Sequence, residues 1–463
     1  MLPRSLAPFG SPKKVAVLGG GLTGLTAAFR LHQLGWRVRL FEEGPRVGGA
    51  IRTEISDGWL IEGGPNSLQE SSSEVSSLIQ ELGLDRERVE ANPAAKNRYL
   101  LRGGRLVPLP LSPVGLLTSS LFSFGTKLRI LGEFRARPRP NASDCSVATL
   151  VRDHFGPEIL ARVAQPFIGG VYAGDPEKLS ARHAFPKLWN LAQQHGSLLR
   201  GQRALAKERR ARGEPAAPKL ISFQRGLRTL TEALALRLPA GTISLNARVA
   251  GVFPGNPWLV SWNDAQGGQT ERFDAVLSAL PARSLAKLAL GAGQETSLAS
   301  LGTIPHPPVA SLFLGFKREQ VAHPLDGFGL LVPATEKRAV LGVIFSSTLF
   351  PDRAPGGHVA LTILFGGALQ PEIAARSEAE LLAAARPDLR ELLGVNGDPV
   401  FQRHNFWPHA IPQYELGYEK HLETIAACEQ ANPGFFIGGQ PRDGISLSDC
   451  ILAGEKLARR AGG

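Results

Sequence analysis

The sequence predicts an α/β protein whose dinucleotide-binding domain is split along the chain, and three observations carry that reading. VAVLGGGLTG (residues 15–24) runs four apolar residues into glycines, with Gly19, Gly21 and Gly24 in the G-x-G-x-x-G spacing. That spacing gives a tight turn, close backbone approach to a pyrophosphate, and close packing of helix on strand. Glu42 ends the next apolar run, eighteen residues beyond Gly24, near the ~20 expected of a carboxylate that takes ribose hydroxyls. Strand and glycine-to-helix patterns then return at 221–280 and again near the C-terminus.

Each element follows from its local pattern. KVAVL (14–18) reads as a buried strand, 25–34 as a helix stopped by Gly35, and RVRLFE (37–42) as a second strand. This βαβ start aims the unpaired N–H groups of a helix N-terminus at a phosphate. SSEVSSLIQELGL (72–84) is helical, and 108–219 is helix-rich, basic and punctuated by proline. At 221–238 a turn leads into an amphipathic helix, and TISLNARVAGVF (242–253) and RFDAVLSAL (272–280) resemble strands. VASLFLGF (309–316), FGLLVP (328–333), AVLGVIFSS (339–347) and HVALTILFGG (358–367) suggest an antiparallel sheet, followed by a helix at 377–393. FFIGGQPRDGISLSDCILAGEKLARR closes the chain with a strand, a glycine loop and a helix.

At 463 residues the chain exceeds the ~250–300 at which one core stops growing, so it holds two or three domains. A net charge of +11 favours anionic partners, but no nucleic-acid-binding module appears, which argues against nucleic acid. Cys145, Cys428 and Cys450 are far apart and odd in number, excluding a disulfide framework or a cysteine metal quartet and fitting a reducing compartment. No metal-ligand spacing is found among the ten histidines. The first residues, MLPRSLAPFGSPKK, lack the apolar core of a secretory signal.

The long uncharged stretch 106–126 carries Pro108, Pro110 and Pro113, which break a spanning helix. A helix over 114–124 gathers Val114, Leu117, Leu121 and Phe124 on one side. Basic residues follow at Lys127, Arg129, Arg135, Arg137 and Arg139, and seven more lie within 200–219. The apolar side has two readings, core or lipid surface, since basic clusters beside an apolar helix are attracted to anionic lipid.

Glu42, Arg46, Gly48, Gly49 and Arg52 extend the motif to E-x-x-x-R-x-G-G-x-x-R. On these residues and 19–24, the chain resembles the FAD-binding N-terminus of the amine-oxidase superfamily. Further stretches narrow the resemblance to the oxygen-dependent protoporphyrinogen oxidases. They are IEGGPNSLQESSSEVSSLI (61–79), NRYLLRGGRLVPLP (97–110), PFIGGVYAGDPEKLSARHAFPKLWNL (166–191), SFQRGLRTLTEAL, HPLDGFGLLVP (323–333), IFSSTLFPDRAP (344–355) and DGISLSDCILAGEKLA (443–458).

The resemblance implies a Rossmann-like FAD-binding domain in three parts (1–92, 211–288 and 425–463), a helical membrane-binding insertion (93–210) and an α+β substrate domain (289–424). It implies one non-covalent FAD per chain and six-electron oxidation of protoporphyrinogen IX by oxygen, releasing hydrogen peroxide in haem synthesis. No catalytic side chain is needed, because the flavin takes the hydride. It also implies a peripheral position on the cytoplasmic side of a membrane, with no signal peptide or transmembrane helix, and it allows a homodimer.

Coproporphyrinogen III is the alternative substrate. An amine oxidase or carotenoid desaturase ranks below it, because only four tyrosines are present to build an aromatic amine cage. A non-catalytic nucleotide-binding scaffold ranks last.

The resemblance also implies the site residues, matched position by position. Gly19, Gly20, Gly21, Leu22, Thr23 and Gly24 hold the pyrophosphate, and Glu42 with Glu43 lies at the ribose. Arg46, Gly49, Ala50 and Arg52 support the dinucleotide, and Gly64, Pro65, Asn66 and Ser67 pass the flavin ring. Val249 meets the adenine, while Ile445, Ser446 and Leu447 close the site through main-chain groups. For substrate, Arg98 matches the propionate-binding arginine, Leu331 and Phe345 the residues that sandwich the macrocycle, and Gly174 the pocket loop. Cys450 is expected to be a packing residue.

Overall fold

A computed structural model describes residues 12–110, 113–138, 143–212, 218–291 and 298–462. Strand β1 (Lys14–Leu18), helix α1 (Leu22–Gln33) and strand β2 (Arg37–Phe41) open the chain as the glycine pattern predicts. Val15, Ala16, Val17 and Leu18 are completely buried, as a strand covered on both faces requires. Strand β3 (Trp59–Glu62) runs into the Gly63–Gly64 loop, and β4 (Asn97–Arg102) starts a second sheet.

Helix α2 (Phe124–Glu133) begins the helical lobe, and α3 (Arg228–Leu236) returns the chain to the first domain. Two strands there, β5 (Ile243–Ser244) and β6 (Ala275–Ser278), lie either side of the β2–β1 pair. The second sheet then takes β7 (Val309–Lys317), β8 (Gly327–Leu331), β9 (Val340–Ile344), β10 (His358–Gly366) and β11 (Phe401–Trp407). Strand β12 (Phe435–Ile437) and helix α4 (Leu447–Gly462) end the described chain.

The first sheet is parallel, in the order β5-β2-β1-β6-β12. Residues from three separate stretches build this sheet. The second sheet runs β11-β7-β10-β9-β8-β4 and ends on Arg105–Pro108. It is mixed, not purely antiparallel, because β8 pairs parallel with β4. Residues 97–108, expected in the helical insertion, therefore belong to this sheet. A six-residue strand whose partner lies more than two hundred residues away carries no local sign of that pairing.

One face of the second sheet packs a core of Leu312, Leu314, Phe316, Leu330, Val343, Phe345, Leu361 and Ile363 against the helix Glu378–Leu393. By strand alternation the other face carries Arg98, Leu100, Leu331, Gly342, Ile344, Thr362, Leu364, Asn405 and Trp407. The expected single helix over 114–124 is two helices, Pro113–Thr118 and α2. Leu121 is buried with Phe122 against Leu100, whereas Phe124 is 75% exposed, so the predicted apolar side is divided. The side chains of Val114 and Leu117, and all of Arg139, lie outside the described residues.

Candidate active site

The glycine loop is shaped by its own backbone. Gly19 has φ +100°, and its N–H donates to the Phe41 carbonyl at 2.8 Å. A Cβ on Gly24 would fall 1.9 Å from the Gly19 carbonyl oxygen, so only glycine lets α1 pack this tightly on the turn. Around Gly21, by contrast, a Cβ would meet nothing within 4 Å. No side chain caps α1, and its first turn, with Leu22, Thr23 and Gly24, has no acidic residue. An open concavity of main-chain donors at a helix N-terminus suits a pyrophosphate.

Glu42 is fixed beside this loop: one carboxylate oxygen accepts from Gly20 N at 2.8 Å and the other from Gly44 N at 2.8 Å. Each oxygen keeps a second lone pair for a ribose hydroxyl. Glu43 is exposed, 3.6 Å from Arg248. The next segment pairs with the same edge, Ala247 N donating to Glu42 O at 2.9 Å, which brings half-buried Val249 close to it.

Arg46 donates to the carbonyls of Val47, Gly49 and Ile51 at 2.8–3.1 Å, so it latches the loop that carries Gly49 and Ala50. Burial and the nearby Arg52 hold its guanidinium below the usual range. Arg52 itself is exposed. A Cβ on Gly49 would sit 3.2 Å from Gly21 Cα, and one on Gly64 2.1 Å from the Ala50 carbonyl oxygen. Gly21, Gly49, the Ala50 carbonyl and Gly64 thus bring backbone against backbone, leading from the helix N-terminus to Pro65, Asn66 and Ser67. Trp407 Nε1 donates to Gly63 O at 2.6 Å, tying that backbone to the second sheet.

The C-terminal segment closes from the other side. Ser446 Oγ accepts from Asp449 N at 3.0 Å while Asp449 Oδ2 accepts from Ser446 N at 3.2 Å, capping α4 just after Ile445 and beside Leu447. Thr23 Oγ1 donates to Cys450 O at 3.0 Å, and a Cβ on Gly454 would fall 2.6 Å from Thr23 O, so α1 and α4 lie in close contact. Cys450 is buried against α1 and its thiol is pushed up to about 12 by burial, the state of a packing residue.

Sequence reading missed Tyr414. Its hydroxyl accepts from Gly444 N at 3.2 Å and donates to Gln440 O, bracing the closing loop, while burial raises its pKa well above the ordinary value. Tyr414→Phe is expected to weaken FAD binding by about 10-fold, the loss of roughly one hydrogen bond, in titrations of the apoprotein.

On the second sheet, Arg98 is exposed with its guanidinium over the Phe328 ring at 5.5 Å. Leu331 is half-buried and abuts the helical lobe, where a Cβ on Gly170 would meet Leu331 Cδ2 at 2.5 Å. Gly174 follows the left-handed Ala173 (φ 53°), and a Cβ there would clash with Gln413 Oε1 at 2.4 Å. Gln413 Nε2 donates to Tyr172 O at 2.9 Å, so a buried amide supports this loop.

Phe345 does not join them. It is 0% exposed, packed beside His323 at 5.6 Å in the opposite core. Its predecessor Ile344 shares the face of Leu331, and Leu364 lies on that face two strands further on. The correction is one residue: β9 ends at Ile344 after a register shift between Val340 and Gly342, and alternation from Gly342 would have found it.

Comparison with known proteins agrees with this geometry. Residues 22–461 match the family model of flavin containing amine oxidoreductases. Protoporphyrinogen oxidase 2, chloroplastic/mitochondrial, of Arabidopsis thaliana is 35% identical over 97% of this chain and 93% of its own length. Coproporphyrinogen III oxidase of Bacillus subtilis is 28% identical over 96% of each. A crystal structure from Exiguobacterium sp. 255-15 superposes with a TM-score of 0.80 at 22% identity, covering 98% of this chain and 99% of that one. The glycine loop fits the FAD of these flavoenzymes, and the chain belongs to the flavin-containing amine oxidoreductases, in the protoporphyrinogen oxidase family.

Proposed function

We propose that this chain oxidises protoporphyrinogen IX to protoporphyrin IX, transferring electrons through FAD to oxygen and releasing hydrogen peroxide. The observation that carries the reading is the sheet face of Leu331, Ile344 and Leu364, which meets the Gly63–Gly64 loop through Trp407 and carries Arg98 at its edge. A large apolar macrocycle needs such a wall, with few polar anchors to orient it. Bound FAD supplies the hydride acceptor. The protein binds and orients the ring, holds a propionate on Arg98 and excludes water with the Gly170–Gly174 loop.

Anaerobic mixing of the purified protein with protoporphyrinogen IX is expected to bleach the flavin; unbleached flavin overturns the reading. Coproporphyrinogen III is the second reading, favoured by the Bacillus subtilis relative, and turnover of both substrates ranks them. Arg98→Ala is expected to raise KM for protoporphyrinogen about 10- to 100-fold, as loss of a charge-assisted bond to carboxylate implies.

The helical lobe supports peripheral membrane contact. Phe124, Leu128 and Leu131 recur along α2 with exposures of 75%, 52% and 52%, with Lys127 on the same helix and Arg135 just beyond. Among the described residues no helix is long and apolar enough to cross a membrane. An apolar face with adjoining cations suits the surface of anionic lipid. Replacing all three with serine is expected to abolish cosedimentation with anionic vesicles and leave FAD content unchanged.

A further inference from the structure

Beneath the Gly63–Ser67 loop lies a charged pair that the flavin reading leaves unexplained. Glu62 and Arg353 have side chains only 2% and 4% exposed, 3.7 Å apart. Glu62 accepts from Thr53 Oγ1 at 2.7 Å and from Leu227 N, at the start of α3, at 2.8 Å. Arg353 donates to Ser222 Oγ at 2.5 Å. Arg228 is the other cation that acts on Glu62.

Beside the pair is a small cavity of about 10 Å³, lined by Glu62, Arg353, Asn66, Ile344, Ser346 and Thr362 among others. That is room for about one water. Asn66 is in the loop assigned to the flavin and Ile344 on the face assigned to substrate, so the cavity reaches from Glu62 toward both.

We propose that Glu62 stores a proton between the two half-reactions, taking it up as substrate is oxidised and returning it as oxygen is reduced. The inference rests on the porphyrinogen reading above. In each two-electron step the substrate loses a hydride from a meso carbon and one proton, and the ring gains one double bond; over three steps four C–H and two N–H bonds are lost, so the net proton comes from nitrogen in two steps and from carbon in one. The hydride goes to the flavin, and the proton goes to Glu62 through the cavity. Dioxygen then takes two electrons and two protons to become hydrogen peroxide, one proton arriving with the hydride equivalent and one from Glu62.

The environment is poised for such exchange. Burial pushes the Glu62 carboxyl up to about 7, against the opposing pull of Thr53, Leu227 N, Arg353 and Arg228. Glu62 acts through the intervening cavity, as a positioning residue that stores a proton.

The test is reduction of the holoenzyme by dithionite above about pH 8, where Glu62, raised to about 7, is ionised in the oxidised enzyme; it needs no porphyrinogen and so stands apart from the bleaching experiment. The dependence of the flavin potential on pH is expected to report two protons taken up per two electrons in the native enzyme and one in Glu62→Gln. Equal proton counts in both overturn the proposal. Should Glu62→Gln fail to bind FAD, infrared difference spectra of the native holoenzyme decide: a protonated-carboxyl band must appear on reduction, and its absence overturns the proposal. With protoporphyrinogen, bleaching of Glu62→Gln is expected to be about 10²-fold slower, the scale of a lost proton acceptor.

Discussion

Gly24→Ala is expected to yield a colourless protein. Its new Cβ would lie 1.9 Å from the Gly19 carbonyl oxygen and 3.1 Å from the Gly19 carbonyl carbon, both of them backbone. Gly19 cannot retreat cheaply, because its positive φ and its bond to Phe41 O define the turn. Overpacking of this kind costs about 1–3 kcal/mol or more, and the displacement falls on the donors that face the pyrophosphate. FAD affinity is expected to fall about 100-fold, the upper end of that cost at ~1.4 kcal/mol per tenfold, with activity falling in proportion. Gly21→Ala is the companion: its Cβ meets no protein atom, so the apoprotein is expected to keep native thermal stability and still lose FAD. Stoichiometric FAD in purified Gly24→Ala would contradict the assignment of this loop.

The second large effect is on stability. Arg353→Met leaves Glu62 buried without its nearest cation, and breaking a buried pair from one side costs about 3–5 kcal/mol. Restoring neutrality with Glu62→Gln in the same chain is expected to recover part of that loss.

The pH dependence has a definite sign. Glu62 is raised from 4.5 to about 7, so between those values the folded chain holds a proton that the unfolded chain has released. Its contribution is fully present below about 4.5 and is lost as pH rises through 7. Removing Arg353 raises the carboxyl further, so the loss continues above pH 7. Thermal denaturation of the two single variants and the double variant between pH 5 and 9 checks this; native stability in Arg353→Met refutes it.

The first βαβ unit was legible because its information is local. Three glycines, a buried apolar run and an acid at the right distance specify a turn, a strand and a carboxylate without reference to the rest of the chain. Arg46 is expected to support the dinucleotide, and in the structure it latches the 47–51 loop through three carbonyls, which no motif states. Phe345 was misplaced by one residue because the face that a strand residue occupies depends on where its strand bulges and ends. The apolar side over 114–124 divided because Leu121 found a partner in Leu100, leaving Phe124 with Leu128 and Leu131 exposed on the next helix.

Sequence alone determined the glycine loop, since periodicity and the steric needs of glycine act over a few residues, and the resemblance of its motifs to a known family supplied the flavin. Tertiary structure decided that β4 joins the second sheet, that Ile344 replaces Phe345 on its open face, and that Glu62 meets Arg353. Each of these is a contact between distant segments, fixed by strand register and by the requirement that a buried charge find a partner, and neither condition leaves a mark on neighbouring residues.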